Sequence, residues 1–443
     1  MTSGLLAHGI GAVDDLPVPT WLFYYGAALV LIASFVALGV LWKEPLLDKA
    51  RARSLPQGLQ QAALSPFVRV LLGGVSFALL VLVVGAALFG STSPTLNLAP
   101  TFVYVAFWLG LPLLSVLLGN VWRVLDPWRA AADAIALTAG RTGLVWQPPL
   151  TYPERLGRWP APVLLTAFVA LELAYTHPED PRAVGIAALV YCWITWTGAA
   201  AFGRRAWFEN GDAFTAYFGL FARMAPLAGR GRELFVRLPI TGLARRDEAP
   251  GTIALIAVVL GSVAFDGLSR TNWWEDRTHT SGTAATIAIN LAGLGACVGF
   301  AALTYLTAVA VAGRFAGGRH NLRRDFVGSL VPIAFAYLVA HYFSLFVLQG
   351  QYLITTVSDP LGRGWDLLGT KDVVPDLTIL SPETTWYVQV GALVVGHVLG
   401  LVLAHDRALA VFPSVRSALR AQYAMLALMV LYTVGGMWIL SRP

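Results

Sequence analysis

The sequence predicts an all-α, polytopic transmembrane helix bundle. Three observations predict it. Of the 443 residues, 57% are hydrophobic and only 13% charged, against about 25% charged in soluble domains. The mean hydropathy is +0.65, and the apolar residues gather in runs of the length that crosses a bilayer, about 20 residues. The basic residues fall in alternate connections between those runs, as the positive-inside bias requires.

The runs are 20–42, 67–90, 98–119, 160–176, 184–203, 251–269, 284–312, 327–349, 385–405 and 418–440. They amount to about ten spans in a single membrane domain. The fourth is short and the seventh long, so one is read as recessed and the other as tilted. With the N-terminus outside, the inner connections and their membrane edges hold 25 of the 31 lysines and arginines. The outer side keeps Arg182, Arg270, Arg277, Arg363, Lys371 and Arg442. This alternation predicts an N-out, C-out chain. Residues 1–19 have no basic n-region and contain Asp14 and Asp15, so they are read as an external segment and not as a signal peptide.

Two inner segments are read as cytoplasmic interfacial helices lying in the membrane plane. One is Asp126–Thr138, which opens with Asp-Pro-Trp, a good helix start. The other is Asp212–Leu227, whose Phe214, Tyr217, Phe218 and Phe221 recur near helical spacing. The Asp/Gly/Pro-rich connection 350–384 is long enough to cap the outer mouth. Only two cysteines occur, Cys192 and Cys297, which excludes a disulfide framework or a zinc–thiolate site. The net charge of +6 follows from topology and does not call for nucleic acid. The partner it implies is the lipid bilayer.

Ionisable side chains inside spans are costly and tend to face the bundle interior with a partner. Two histidines lie inside neighbouring spans, His341 and His397. Counting eight residues back from Gln349 and eleven forward from Trp386 puts the two rings roughly 12 and 16 Å from their helix ends, at nearly matched depth. Tyr337, His341 and Ser344 share a face by their i, i+4, i+7 spacing. Gly396 and Gly400 form a small-xxx-small pattern around His397 that admits a close helix. Glu172 and Asp266 fall near the outer ends of their spans, and His8 lies in the external segment.

Histidine with Asp or Glu is a ligand set for zinc, manganese or iron. On this reading His341, His397 and His8 are the metal ligands, and Asp266 and Glu172 the catalytic carboxylates. No compact metal signature such as H-E-x-x-H is present, so the site depends on distant helices converging. Blander readings stand beside it. Each histidine could pack against a neighbouring carbonyl, Asp266 could pair locally with Arg270 at i, i+4, and Glu172 could be solvated. His405 and Asp406 are read as helix-end residues, and Asn290 as interhelical glue.

Several islands carry a resemblance. They are His8-Gly9-Ile10-Gly11, Asp15-Leu16-Pro17-Val18-Pro19, Ser34 through Trp42, Gly396-His397-Val398 and Ala404-His405-Asp406-Arg407. With the length and span layout, they resemble the bacterial integral-membrane fenitrothion hydrolases over most of the chain. The resemblance implies a bacterial cytoplasmic-membrane protein that cleaves apolar organophosphorus triesters and releases a nitrophenol. It carries over no catalytic residue, since the family has no defined motif. Such a reaction needs an activated water and charge stabilisation at the phosphoryl oxygen, which a divalent metal supplies. Two other functions fit the same residues. The chain could be a transporter of a metal or small solute, with Glu172, Asp266, His341 and His397 as a relay. It could also be a redox subunit with haem b held between His341 and His397.

Overall fold

The computed structural model describes residues 20–143, 146–231, 233–247, 249–315 and 321–440. In it the apolar runs become helices, several of them opened by a polar cap. The chain opens with α1 (Thr20–Leu41), strand β1 (Arg53–Ser54), α2 (Gln57–Ala63) and α3 (Pro66–Phe89). Ser65 caps α3 by accepting the Val68 N–H, and Pro66 takes the first helical position, where its missing N–H leaves no bond unmade. Next, α4 (Leu98–Thr101) continues through a π-helical stretch, Phe102–Gly110, into α5 (Leu111–Leu118). Then come α6 (Trp122–Leu125), α7 (Pro127–Arg141), α8 (Pro160–Leu173) and α9 (Pro181–Phe202).

The short α10 (Arg204–Ala206) and a second π-helical turn, Trp207–Gly211, lead into α11 (Ala213–Ala222). Strands β2 (Leu227–Arg230) and β3 (Glu233–Val236) form an antiparallel hairpin, and β1 pairs with the other edge of β3. The remainder is α12 (Thr252–Ser269), α13 (Asn272–Thr278), α14 (Thr283–Gly313), α15 (Leu322–Phe326), α16 (Val331–Leu348), α17 (Tyr352–Ser358), α18 (Pro382–Val411) and α19 (Val415–Leu440).

Among the described residues, nine helical segments are long and apolar enough to cross a membrane. Their outer surfaces expose Leu29, Val36, Val81, Leu117, Val190 and Leu303, side chains that hydrocarbon solvates and water does not. The chain is therefore a multi-pass membrane protein. Burial sorts its helices: 72% of the apolar window of α12 is enclosed by protein, against 17% for α1. So α12 is central and α1 peripheral.

Helices meet most closely where glycine removes a Cβ. A Cβ on Gly261 of α12 would lie 2.5 Å from the Val298 Cα of α14. One on Gly396 of α18 would lie 2.2 Å from the Ala336 Cβ of α16, and one on Gly400 would lie 2.7 Å from the Ser329 carbonyl. The Gly396/Gly400 pattern thus seats α18 on α16. The expected fourth span is the short α8, which is not among the nine. Its entry is tied to the start of α12 by the bond from Arg158 N to Pro250 O at 2.7 Å. Beyond its exit, the Pro178 carbonyl accepts the Tyr104 hydroxyl at 2.8 Å.

Of the two expected interfacial helices, one is enclosed by protein and the other largely exposed. On α11, Phe214, Tyr217, Phe218 and Phe221 are all at most 4% exposed, so its aromatic face is packed in the protein interior and not against lipid. Tyr217 stacks on Trp108 at 4.6 Å, and Phe214 meets Phe107 edge-on at 4.5 Å. An aromatic stripe suits a protein interior as well as a lipid interface, and periodicity alone does not separate the two. On α7 only the first turn is enclosed. Pro127 and Trp128 are buried, whereas Ile135 and Leu137 are exposed.

The arginine-rich end is held by buried polar ties. Asp247 Oδ2 accepts from Arg158 Nη1 at 2.9 Å and from Arg223 Nη1 at 2.6 Å. Three consecutive residues of α18 tie it to several neighbouring segments. His405 bonds the Trp42 carbonyl and the Gln422 side chain, both at 2.9 Å. Asp406 accepts the Leu46 and Leu47 N–H groups, and Arg407 pairs with the buried Asp325 of α15. So His405 and Asp406 join helices, beyond the plain helix-end role that the sequence suggests.

Candidate functional site

The central helices bring three of the expected residues together. Asp266 of α12 is 1% exposed, and its Oδ2 lies 2.8 Å from Nε2 of His341 on α16. Its other oxygen, Oδ1, is 3.5 Å from Nε of Arg270, one helical turn on. The expected Asp266–Arg270 pair exists, therefore, but Asp266 also faces inward to the histidine. The Arg270 side chain is 40% exposed, so the cluster runs from the bundle interior to its rim.

Tyr342 extends the cluster to a third helix. Its ring stands edge-on to His341 at 4.7 Å, and its hydroxyl donates to Glu172 Oε1 of α8 at 3.4 Å. Glu172 Oε2 is shut off from solvent without a hydrogen-bond partner. A charged or polar atom left so in a low-dielectric interior is expensive, which makes the position a candidate for function. Beside His341 lies a cavity of about 10 Å³, lined by Val263, Ala264, Tyr337, Ala340 and Gly436 among others. That is the size of roughly one water molecule.

His397 stands apart. Its Nδ1 lies 2.7 Å from the Leu393 carbonyl, which requires Nδ1 to carry the hydrogen and leaves the lone pair on Nε2. That Nε2 is buried and has no partner, and the nearest ring is Tyr337 at 5.9 Å. The matched depth expected for the two histidines is corrected by register. Gly396 packs on Ala336 and Pro332, so His397 is level with residue 336. His341 lies five positions further along α16, roughly 7.5 Å away along the axis. Counting from helix ends misleads because α16 is prolonged by a turn at Gln349–Gln351 while α18 already begins at Pro382. The two rings do not form one ligand pair.

Among the described residues, no group of three His, Cys, Asp or Glu side chains is arranged to hold a metal ion. The expected ligand His8 lies outside the described residues. The donors present are His341 Nε2 and Asp266 Oδ2, already within hydrogen-bond distance of each other. The geometry therefore reads directly as an acid–base pair.

Sequence reasoning missed Tyr342, although it stands next to His341. The i, i+4, i+7 face singled out Tyr337 and Ser344, and no spacing within α16 reveals that the neighbouring phenol reaches Glu172 on α8. It also missed Gln389, 1% exposed in α18 with its Oε1 unpartnered. Asn290 does act between helices: its Oδ1 accepts from Trp274 Nε1 at 2.9 Å. Comparison with family models, with curated proteins and with solved structures found no match.

Proposed function

We propose that this protein moves protons through the cluster Glu172–Tyr342–His341–Asp266 and couples that movement to the transport of a small solute. The observation that carries the reading is the His341–Asp266 contact at 2.8 Å between two enclosed helices. A buried imidazole facing a carboxylate exchanges a proton readily. Two further observations support it. The Tyr342 hydroxyl lies between that pair and Glu172, and the adjoining cavity of about 10 Å³ takes water and not a large substrate. On this reading the chain crosses the membrane ten times, with α8 as the short crossing. The arginine-poor end, with the cluster, faces outward from a bacterial cytoplasmic membrane.

The second reading is hydrolysis of an apolar organophosphorus triester. The His–carboxylate pair favours it, because an imidazole oriented by a carboxylate is a general base for water. It requires α16 to part from its neighbours, since a triester exceeds the cavity. One reconstitution tests both. Proteoliposomes with an internal pH dye report proton flux, and released nitrophenol reports cleavage of fenitrothion. Flux in the wild type that His341→Ala and Asp266→Asn both abolish supports the relay. Nitrophenol release lost in the same variants, without flux, replaces it by the hydrolase reading. Wild-type flux retained in both variants refutes the assignment of the site.

A further inference from the structure

A second buried acid–base cluster lies where α7 and α11 begin. Each helix starts with an aspartate as its N-cap. Asp126 Oδ1 accepts the Arg129 N–H at 3.0 Å, and Asp212 Oδ1 accepts the Thr215 N–H at 2.7 Å. Both carboxylates are 1% exposed, and Trp128, two residues after Asp126, lies against Tyr191 at 4.9 Å and Phe214 at 6.0 Å, the latter two residues after Asp212. The Tyr191 hydroxyl of α9 donates to Asp212 Oδ2 at 2.7 Å. Arg129 donates from Nη2 to the Phe208 carbonyl at 3.0 Å, and its Nε is 3.5 Å from Asp126 Oδ2. Phe208 belongs to the π-helical turn that runs into Asp212, and such turns recur at functional sites.

Charge decides what this arrangement holds. Two carboxylates face one guanidinium inside a shell of Trp128, Phe208 and Phe214, all at most 4% exposed. One negative charge is left over. Burying it unbalanced is far costlier than binding a proton. Asp126 Oδ2 is buried and makes no hydrogen bond beyond its 3.5 Å pairing with Arg129 Nε, which leaves it room for a proton. Thr195, 0% exposed, lies one turn from Tyr191 on the same side of α9. The other titratable groups in contact are Tyr191 itself and Cys192, whose sulfur accepts from Trp128 Nε1 at 3.1 Å. So few oxygens cannot replace the hydration shell of a metal cation.

We infer that Asp126 and Asp212 share one proton at neutral pH and form a proton-binding site separate from the His341 cluster. The site is the acid of a carboxyl pair: one carboxyl carries the hydrogen while the other stays ionised, Asp126 beside Arg129 or Asp212 beside the Tyr191 hydroxyl. Asparagine at either position keeps the N-cap and removes one member of the pair, so Asp126→Asn and Asp212→Asn retain the fold.

Infrared difference spectra of the purified full chain, taken across neutral pH, test this. The wild type is expected to show the carbonyl stretch of a protonated carboxyl at neutral pH, shifted in deuterium oxide. Asp126→Asn and Asp212→Asn are each expected to remove it, while Glu172→Gln and Asp266→Asn leave it in place. Tyr191→Phe, which takes one donor from Asp212 and leaves both carboxyls, is expected to keep the band and extend it to higher pH. A band that persists in both asparagine variants, each carrying Glu172→Gln so that the other buried carboxyl is silent, overturns the inference. So does a wild type with no such band whose spectrum instead responds to exchanging choline for sodium, which would mark a cation site. Because the His341 variants are read separately, failure here leaves the proton relay untouched, and the reverse also holds.

Discussion

Replacing Asp247 by asparagine is expected to weaken the arginine-rich end of the bundle by about 3 kcal/mol. The magnitude comes from what the carboxylate holds. Oδ2 takes charge-assisted bonds from Arg158 at 2.9 Å and Arg223 at 2.6 Å, while Oδ1 takes the Ala249 N–H and the Thr252 hydroxyl. The side chain is 4% exposed, and those of the two arginines 28% and 23%. Two such bonds would be worth about 1.5–3 kcal/mol each, and the partial exposure of the arginines sets the lower end. Asparagine keeps the shape and some hydrogen bonds but leaves two guanidiniums without a counter-charge.

Labelling of buried Cys192 and half-buried Cys297 by a maleimide dye reports unfolding in detergent. The midpoint should fall by about 3 °C. Burial alone would raise the Asp247 pKa, but Arg158, Arg223 and the Ala249 N–H outweigh it and hold it below the ordinary carboxylate value. Its folded pKa is therefore depressed, so its contribution is present above the unfolded value and lost as pH falls through that value toward the folded one. The gap between wild type and Asp247→Asn should narrow over the same acid range. An unchanged midpoint at neutral pH, or a gap that widens in acid, would refute the reasoning.

Three further outcomes follow from the packing and the site. Gly396→Val drives a side chain into Ala336, and overpacking of about 3 kcal/mol should lower the yield of folded protein, with Ala336→Gly restoring part of it. His405→Ala strands the Trp42 carbonyl and the Gln422 amide, a loss of about 2–3 kcal/mol readable in the same thiol assay. Tyr342→Phe removes the hydroxyl that bonds Glu172 at 3.4 Å, so stability should fall by about 0.5–1.5 kcal/mol while proton flux into proteoliposomes falls. Unchanged flux would take Tyr342 out of the relay.

The membrane-crossing helices were legible because hydropathy is a property of each run by itself. So was the α16–α18 contact, since Gly396 and Gly400 mark a close approach wherever the partner comes from. The depth of α11 was not legible. Phe214, Tyr217, Phe218 and Phe221 satisfy a lipid interface and a packed interior equally, and only the arrival of Trp108 and Phe107 decides between them. Asp266, His341 and Glu172 could be singled out because charge in an apolar run is rare. Their connection through Tyr342 depends on how α8, α12 and α16 turn about their own axes, which no spacing along one helix encodes. The error in the depth of His397 has the same origin, since register between helices is set by side chains such as Ala336 and not by where each helix happens to end.

The grip of His405, Asp406 and Arg407 on α1, the following loop, α15 and α19 has a mechanical consequence. It makes that end of α18 a fulcrum. From His405 to Trp386 the helix is a lever of roughly 28 Å. A tilt of about 6° at the anchored end would carry the far end through roughly 3 Å, while the arginine-rich face stays still. Any tilt of α18 about that anchor is thereby felt most at the end that holds His341 and Glu172.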